Sequence, residues 1–390
     1  MELDSSLREL KPIRLLHIVE NLNNGAVENW LYRMFSAASA NGANYHWTFF
    51  CTLGRPGKLD ENIRRLGGEI IYSPHQLGEK RAFFLNLRRI IKDGHYDVLH
   101  CHHDFVSAFY LWASFGLPIR KRIVHVHNTD EGILTPSRFK QFMLKEPMRQ
   151  TCMRLADNVV GISNETLTKF THRSNPKPDR DRIVYYGIDT SSFRERCCSR
   201  EEFRLSLGLS PETRILLFTG RMAPIKNPCF VIDVLAELLK SEKNVAAVFA
   251  GSGELETTVR ELAERKGVGD KIRILGWRED ASTLMRLCDV LMFPRLEEPK
   301  EGLGLVLVEA QAAGLPILAS PSITDDVQVI PEIFTILPLA AGANAWSEAV
   351  KRTLLTRQLS REECLDKIEG SRFSLNAGVS NLLSLYSDIN

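Results

Sequence analysis

Short apolar runs alternate with longer amphipathic stretches along the whole chain, and the rhythm starts afresh near Arg214. Runs of strand length fall at 14–19, 47–52, 69–72, 98–102, 122–127 and 158–162, then at 214–219, 246–250, 272–275, 290–293 and 317–319. Helix-period stretches such as 27–40, 230–241 and 255–266 lie between them. Continuous apolar strands separated by helices belong to parallel sheets covered on both faces. So many strands in a 390-residue chain exceed one comfortable sheet, and the length suits two cores. The expected fold class is therefore α/β, with two tandem Rossmann-like, doubly wound parallel-sheet domains facing a cleft. Residues 1–190 form the first domain in this reading and 191–372 the second, with a polar join across 171–211. Residues 373–390 carry Val379, Leu382, Leu383 and Leu385 at helical spacing, which predicts a last helix crossing back to the first domain.

Charge separates the two halves. The whole chain has 50 Lys and Arg against 48 Asp and Glu, a net +2 that argues against a nucleic-acid binder, whose phosphate contacts need a basic excess. Residues 1–190 hold +6 and the remainder −4, and all ten histidines fall between His17 and His172. Hydrophobic residues at 44% and charged residues at 25% are ordinary for a globular chain. The eight cysteines are scattered without a C-x-x-C pair, which suits reduced thiols rather than a disulfide framework. The first residues lack the basic and apolar regions of a signal peptide, and no apolar run approaches 18 residues. These features point to a cytoplasmic protein.

Ligands of open parallel sheets sit outside the carboxyl ends of the strands, so the loops there carry the argument. After the first strand comes Asn21-Leu22-Asn23-Asn24-Gly25-Ala26, a single turn glycine rather than G-x-G-x-x-G. No G-x-x-x-x-G-K-[ST] occurs either, which removes the commonest phosphoryl-transfer class. In the second half, strand 214–219 runs into Gly220-Arg221-Met222-Ala223-Pro224-Ile225-Lys226, placing two cations where a diphosphate would lie. Strand 290–293 is followed by a charged loop and then by Glu301-Gly302-Leu303-Gly304-Leu305, which opens a helix. The free Gly304 and Leu305 amides at that helix terminus suit phosphate, and Glu301 can accept bonds from sugar hydroxyls. Glu309 lies inside an otherwise apolar helix, where a carboxylate is costly without a partner such as a ribose diol.

In these residues the chain resembles the GT-B retaining glycosyltransferases of family 4 (group 1), nearest to those of bacterial exopolysaccharide and capsule synthesis. The resemblance rests on Glu301 and Glu309 in an E-x7-E pattern, on Gly220-Arg221…Lys226, on Gly251-Ser252-Gly253 and on Gly187-Ile188-Asp189, and it covers nearly the whole chain. It implies a hexosyltransferase that uses a UDP- or GDP-sugar donor and a glycan or lipid-linked acceptor, with no cofactor and no metal. Arg221 and Lys226, with Gly220 and the Gly302–Leu305 turn, would hold the donor diphosphate. Glu301 would contact the sugar, Glu309 the ribose and Gly25 the phosphates from the first domain. His127 matches a histidine that positions the transferred sugar, so His127, Arg221, Lys226 and Glu301 are the implied catalytic set. Three departures stand out: Ala26 replaces the family's usual second glycine, Tyr186-Gly187 its common Asn-Gly, and 297–300 add charges before Glu301.

Other classes compete. A sugar-nucleotide epimerase or a silent binding protein would share the fold. Alternation along strands puts His100 with His102 and His125 with His127 on common faces, a pattern that a metal-dependent hydrolase would also show. Two basic amphipathic stretches, 80–92 and 138–149, can rest on an anionic membrane surface, which would make the protein peripheral at the cytoplasmic face.

Overall fold

The computed structural model of the chain describes residues 11–23, 25–129, 138–195, 198–355 and 359–387. It divides into two compact units, Met1–Gly187 with Leu375–Asn390, and Ile188–Ser374.

The first unit holds seven strands, β1 (Ile13–Val19), β2 (Tyr45–Cys51), β3 (Glu69–Tyr72), β4 (Val98–Cys101), β5 (Lys121–Val126), β6 (Asn158–Gly161) and β7 (Asp181–Ile183). All pair in parallel, in the order β3-β2-β1-β4-β5-β6-β7. Its helices are α1 (Ala26–Ala40), α2 (Asp60–Arg65), α3 (Lys80–Gly94), α4 (Ser107–Ser114), α5 (Arg138–Leu155) and α6 (Asn164–Thr171). The polar stretch expected to be a join is partly folded into this sheet. β7 forms there because Asp181 is buried and clamped, accepting from Arg173 at 2.8 Å and from the Lys177 amide at 2.8 Å. Such pairing is a tertiary effect that local propensity does not reveal.

The two faces of this sheet differ. One carries Leu16, Ile18, Phe50, Leu99, Cys101, Val124 and Val126, packed on Phe83, Leu87 and Ile91 of α3 and on Tyr110 and Leu111 of α4. The other carries His17, Trp47, Phe49, His100 and His125, all buried, beside Trp30 of α1. In parallel pairs, registered residues share a face, and His17 is registered with His100 and with Phe49.

The second unit holds β8 (Arg214–Thr219), β9 (Val245–Ala250), β10 (Ile272–Gly276), β11 (Val290–Phe293), β12 (Ile317–Ala319) and β13 (Phe334–Ile336), also all parallel, in the order β10-β9-β8-β11-β12-β13. α7 (Ser191–Arg194), α8 (Arg200–Ser206), α9 (Pro228–Leu238), α10 (Glu256–Arg265), α11 (Ala281–Leu287), α12 (Leu305–Ala312), α13 (Gly342–Leu355) and α14 (Arg361–Glu369) belong to it. The last helix, α15 (Leu375–Ser387), belongs to the first unit, where Tyr386 is buried against the histidine face. Strand order reverses between β1 and β4 in the first unit and between β8 and β11 in the second. Those switch points open crevices at the carboxyl ends of the strands. Among the described residues, no helix is long and apolar enough to cross a membrane.

Candidate functional site

At the switch point of the second unit, the loops after β8 and β11 meet. Leu296 donates its amide to the Ile225 carbonyl at 2.9 Å, which ties the Lys226 turn to the loop that carries Glu301. Lys226 Nζ lies 2.5 Å from Glu301 Oε2, and Arg295 Nε lies 2.8 Å from the same oxygen. Arg221, just past β8, is exposed; its carbonyl accepts the Ala223 amide at 2.9 Å, and its guanidinium makes no hydrogen bond or ion pair among the described residues. The structure thus brings Lys226 and Glu301 into contact, while Arg221, five residues earlier on the same loop, is exposed. Gly304 caps α12 at φ 76°, left-handed backbone that favours glycine, and the helix opens without a side-chain cap. The first α12 amides therefore face the switch point ready for an anion. Glu309 sits half-buried on the same helix, and Gln311 anchors it, donating to the Leu307 and Val327 carbonyls and accepting from the Val329 and Ile330 amides.

Gly251 and Gly253 have a different reason to be glycine. A Cβ on Gly251 would lie 2.0 Å from the Gly220 carbonyl oxygen, and one on Gly253 would lie 2.5 Å from that of Met222. The loops after β8 and β9 touch backbone to backbone, with Met222 donating to Ser252 O at 2.9 Å. These glycines let the Arg221 loop settle, and the motif is structural before it is anything else.

In the first unit, Gly25 caps α1, and the Glu28 carboxylate folds back to where a Cβ of Gly25 would stand. Burial pushes the Glu28 carboxyl above its ordinary range. His127 departs from its expected sugar-facing place. Its ring is only 6% exposed, its Nε2 lies 3.1 Å from His102 Nδ1, and its Nδ1 lies 2.5 Å from the Tyr186 hydroxyl. Both ring nitrogens are engaged within the core, so a sugar contact would require one of them to let go. The group exposed at this strand end is the next residue, Asn128, which donates to Asp104 at 2.9 Å. Asp104, itself buried at φ 40°, also accepts the His127 amide at 2.7 Å. Asp104 thus fixes the loop after β5, a role that neither strand alternation nor motif spacing marks in the sequence.

The histidines form two rows. Tyr186, His127, His102 and His17 are joined in order, the last step 3.1 Å long. Tyr386, His100 and His125 form the second row, at 2.8 and 3.2 Å. A neutral imidazole has one donor and one acceptor, so all donors in a row point the same way. Each row ends in an unpartnered nitrogen, His17 Nε2 and His125 Nε2. Burial drives the imidazoles far below their usual range, to about 3 for His17 and His127 and well below it for His100, His102 and His125. Two trios sharing His102 bring ring nitrogens within 4.8 Å of one another, the arrangement that would hold an imidazole-preferring metal. No carboxylate belongs to either trio, and the ring-to-ring bonds already use most of those nitrogens. The donor set fits a hydrogen-bonded core better than a hydrolase centre.

Away from these loops, α3, α4 and α5 enclose an apolar groove of about 480 Å³, lined by Leu77, Val106, Phe109, Trp112 and Met148 with Lys80 at its edge. Trp112 and Phe115 beside it are 52% and 57% exposed. On α3 the apolar stripe Phe83, Leu87 and Ile91 is buried, while Arg81, Arg89 and Lys92 face outward. The side chains of Arg138, Phe139 and Lys140, in the second basic stretch, lie outside the described residues.

Comparison with known proteins places this architecture. Residues 199–362 match the family model described as glycosyl transferases group 1, and residues 27–192 match that of glycosyltransferase family 4. The chain is 27% identical over 379 residues to EpsF of Bacillus subtilis, whose name describes a glycosyltransferase, covering 96% of each protein. It is 29% identical over 309 residues to the D-inositol 3-phosphate glycosyltransferase of Corynebacterium efficiens, covering 75% of this chain and 71% of that one. The crystal structure of Anabaena HepE in complex with UDP superposes with a TM-score of 0.76 at 17% identity, over 96% of this chain and 100% of HepE.

Proposed function

Because the chain belongs to the group 1 and family 4 glycosyltransferases and has their GT-B fold, we propose that it moves a hexose from a UDP- or GDP-sugar to a glycan or lipid-linked acceptor, retaining the anomeric configuration. The observation that carries this reading is the pairing of Lys226 with Glu301 next to the uncapped α12 terminus, on the loops that follow β8 and β11 at the switch point of the second unit, with the exposed Arg221 on the same loop as Lys226. Such a set matches a diphosphate rather than a carboxylate or a metal. HepE, related in fold, is named in complex with UDP, which supports a nucleoside-diphosphate donor.

In the proposed reaction the bond from the sugar C1 to the diphosphate oxygen breaks, and the acceptor oxygen bonds to C1 on the same face. The acceptor proton passes to the departing diphosphate, which leaves as UDP or GDP. Arg221 and Lys226 offset the charge that develops on the leaving oxygens, aided by the Gly304 and Leu305 amides, so neither metal nor cofactor is required. Glu301 accepts from sugar hydroxyls and Glu309 from the ribose. Gly25, at the start of α1 in the first unit, is assigned to the phosphates by the resemblance alone. At the carboxyl end of β5, His127 is the residue that the family resemblance assigns to positioning the sugar. Both family models that match describe transferases, which disfavours the epimerase and silent-binder readings.

A thermal-shift screen of UDP- and GDP-sugars tests the proposal, followed by proton NMR of the product anomer. Stabilisation by one nucleotide sugar with a retained anomer is expected, and an inverted product would overturn the retaining mechanism.

The acceptor side is proposed to work at an anionic membrane. The groove beside Trp112 and Phe115, with the outward Arg81, Arg89 and Lys92 of α3, offers apolar insertion beside cations. Each such cation near an anionic surface contributes about 1 kcal/mol. The protein should float with phosphatidylglycerol vesicles at low salt and be released at high salt. Failure to float at low salt would sink this part of the proposal.

A further inference from the structure

Glu301 shares one carboxylate oxygen between two cations that differ in freedom. Lys226 reaches it from a short 3₁₀ turn, with a quarter of its side chain exposed, and its ammonium also lies 5.4 Å from the Phe293 ring. Arg295 is 6% exposed and fixed from several sides. Its Nη1 donates to the Leu296 carbonyl at 2.9 Å and to the Pro299 carbonyl. Its own carbonyl accepts from Ser320 Oγ at 2.6 Å, Ser320 bonds Ser322 at 2.9 Å, and the Ser322 carbonyl accepts the Glu301 amide at 2.7 Å. Arg295 and Glu301 are therefore held by one closed circuit of bonds, while Lys226 is attached only through its tip and its turn. The Arg221 and Lys226 charges suffice for two phosphates, and the third cation has no evident ligand to meet.

We propose that Arg295 is a positioning residue that keeps Glu301 in place and balances its charge when Lys226 leaves it for the donor diphosphate. Without Arg295, the ion pair that Glu301, a half-buried carboxylate, keeps among the described residues is the one with Lys226. Moving it to phosphate would strand Glu301, a cost that opposes donor binding. With Arg295 fixed, Lys226 exchanges one anion for another and the carboxylate keeps a partner. Arg295 then acts on the ligand only through Glu301. This inference rests on reading the switch point of the second unit as the diphosphate site.

Titration calorimetry of the full chain with UDP and with GDP tests it, comparing wild type, R295Q, E301Q and the R295Q/E301Q double variant. R295Q is expected to weaken nucleoside-diphosphate binding by about tenfold, within the range of couplings between contacting charged residues. In the E301Q background the same change should cost less than about twofold, because no charge is left to balance. A merely structural role for Arg295 would weaken binding equally in both backgrounds, and that result overturns the inference alone. Unchanged binding by R295Q overturns it as well. Wild-type protein that bound neither UDP nor GDP would overturn the diphosphate reading and this inference with it. If R295Q fails to fold, R295K, which keeps the charge but loses the fork that grips Leu296 and Pro299, takes its place. Its smaller weakening must likewise vanish with E301Q.

Discussion

Acidification from pH 7 to pH 5 should unfold the first unit cooperatively while the second unit stays folded. Five imidazoles of the first unit, His17, His100, His102, His125 and His127, are buried in rows without a carboxylate, and a sixth, His103, is half-buried against the Tyr110 hydroxyl. Burial holds them all below the usual value, to about 3 for His17 and His127 and about 4 for His103. An unfolded chain would protonate them near pH 6.5. Because the folded values lie below the unfolded ones, the unfolded state binds more protons as pH falls, and stability is present above pH 6.5 and lost beneath it. Each group contributes about 1.4 kcal/mol per pH unit in that window, so six together remove roughly 11 kcal/mol between pH 7 and pH 5. Typical domains have about 5–15 kcal/mol to lose. Near-ultraviolet circular dichroism should therefore show a steep transition between pH 5 and pH 6, as about five or six protons are taken up. A first unit still native at pH 4 would show that the rows accept protons within the fold.

The other large effect is expected at Lys226. Lys226→Ala should lower kcat/KM by about 10²–10³, the loss seen when one donor to a developing anion is removed. The fall should appear mostly in kcat, since the charge on the leaving diphosphate grows as the C1–O bond breaks. Melting temperature should barely move, because Glu301 keeps Arg295 as a partner at 2.8 Å and the Lys226 side chain is partly exposed. Steady-state kinetics with the nucleotide sugar found by thermal shift, alongside a melting curve, separates the two quantities. A loss below tenfold would remove Lys226 from the proposed machinery.

How far the sequence reaches depends on the range of each interaction. Strands whose apolar runs are continuous, such as β8 and β11, were legible because burial on both faces leaves a local mark. β7 and β13 were not, being three residues long and dependent on a neighbouring strand for their extended shape. The loops after β8 and β11 drew attention because charge and glycine gather there. Arg295 carries no such mark: next to the exposed 297–299 run it reads as one more loop charge, and only the fold buries it. The shared face of His100 and His102 follows from strand alternation. The hydroxyls that close the rows come from Tyr186, 59 residues beyond His127, and Tyr386, 286 residues beyond His100. His127 shows the limit from the other side, since a matched motif suggested a ligand contact while burial gave its nitrogens to neighbours.

The place of α15 bears on the order in which the molecule can be made. A ribosome delivers the seven strands of the first sheet early, then everything from Ile188 to Ser374, and only then the helix that carries Tyr386. Until that last segment emerges, His100 lacks its hydroxyl partner and the aromatic face of β1 and β2 lacks its final cover. The second unit, continuous in sequence, can complete itself first. The first unit must wait, half-built, for α15, so a chain stopped before that helix would yield one finished unit and one that a protease or chaperone would meet with His100 lacking its hydroxyl partner.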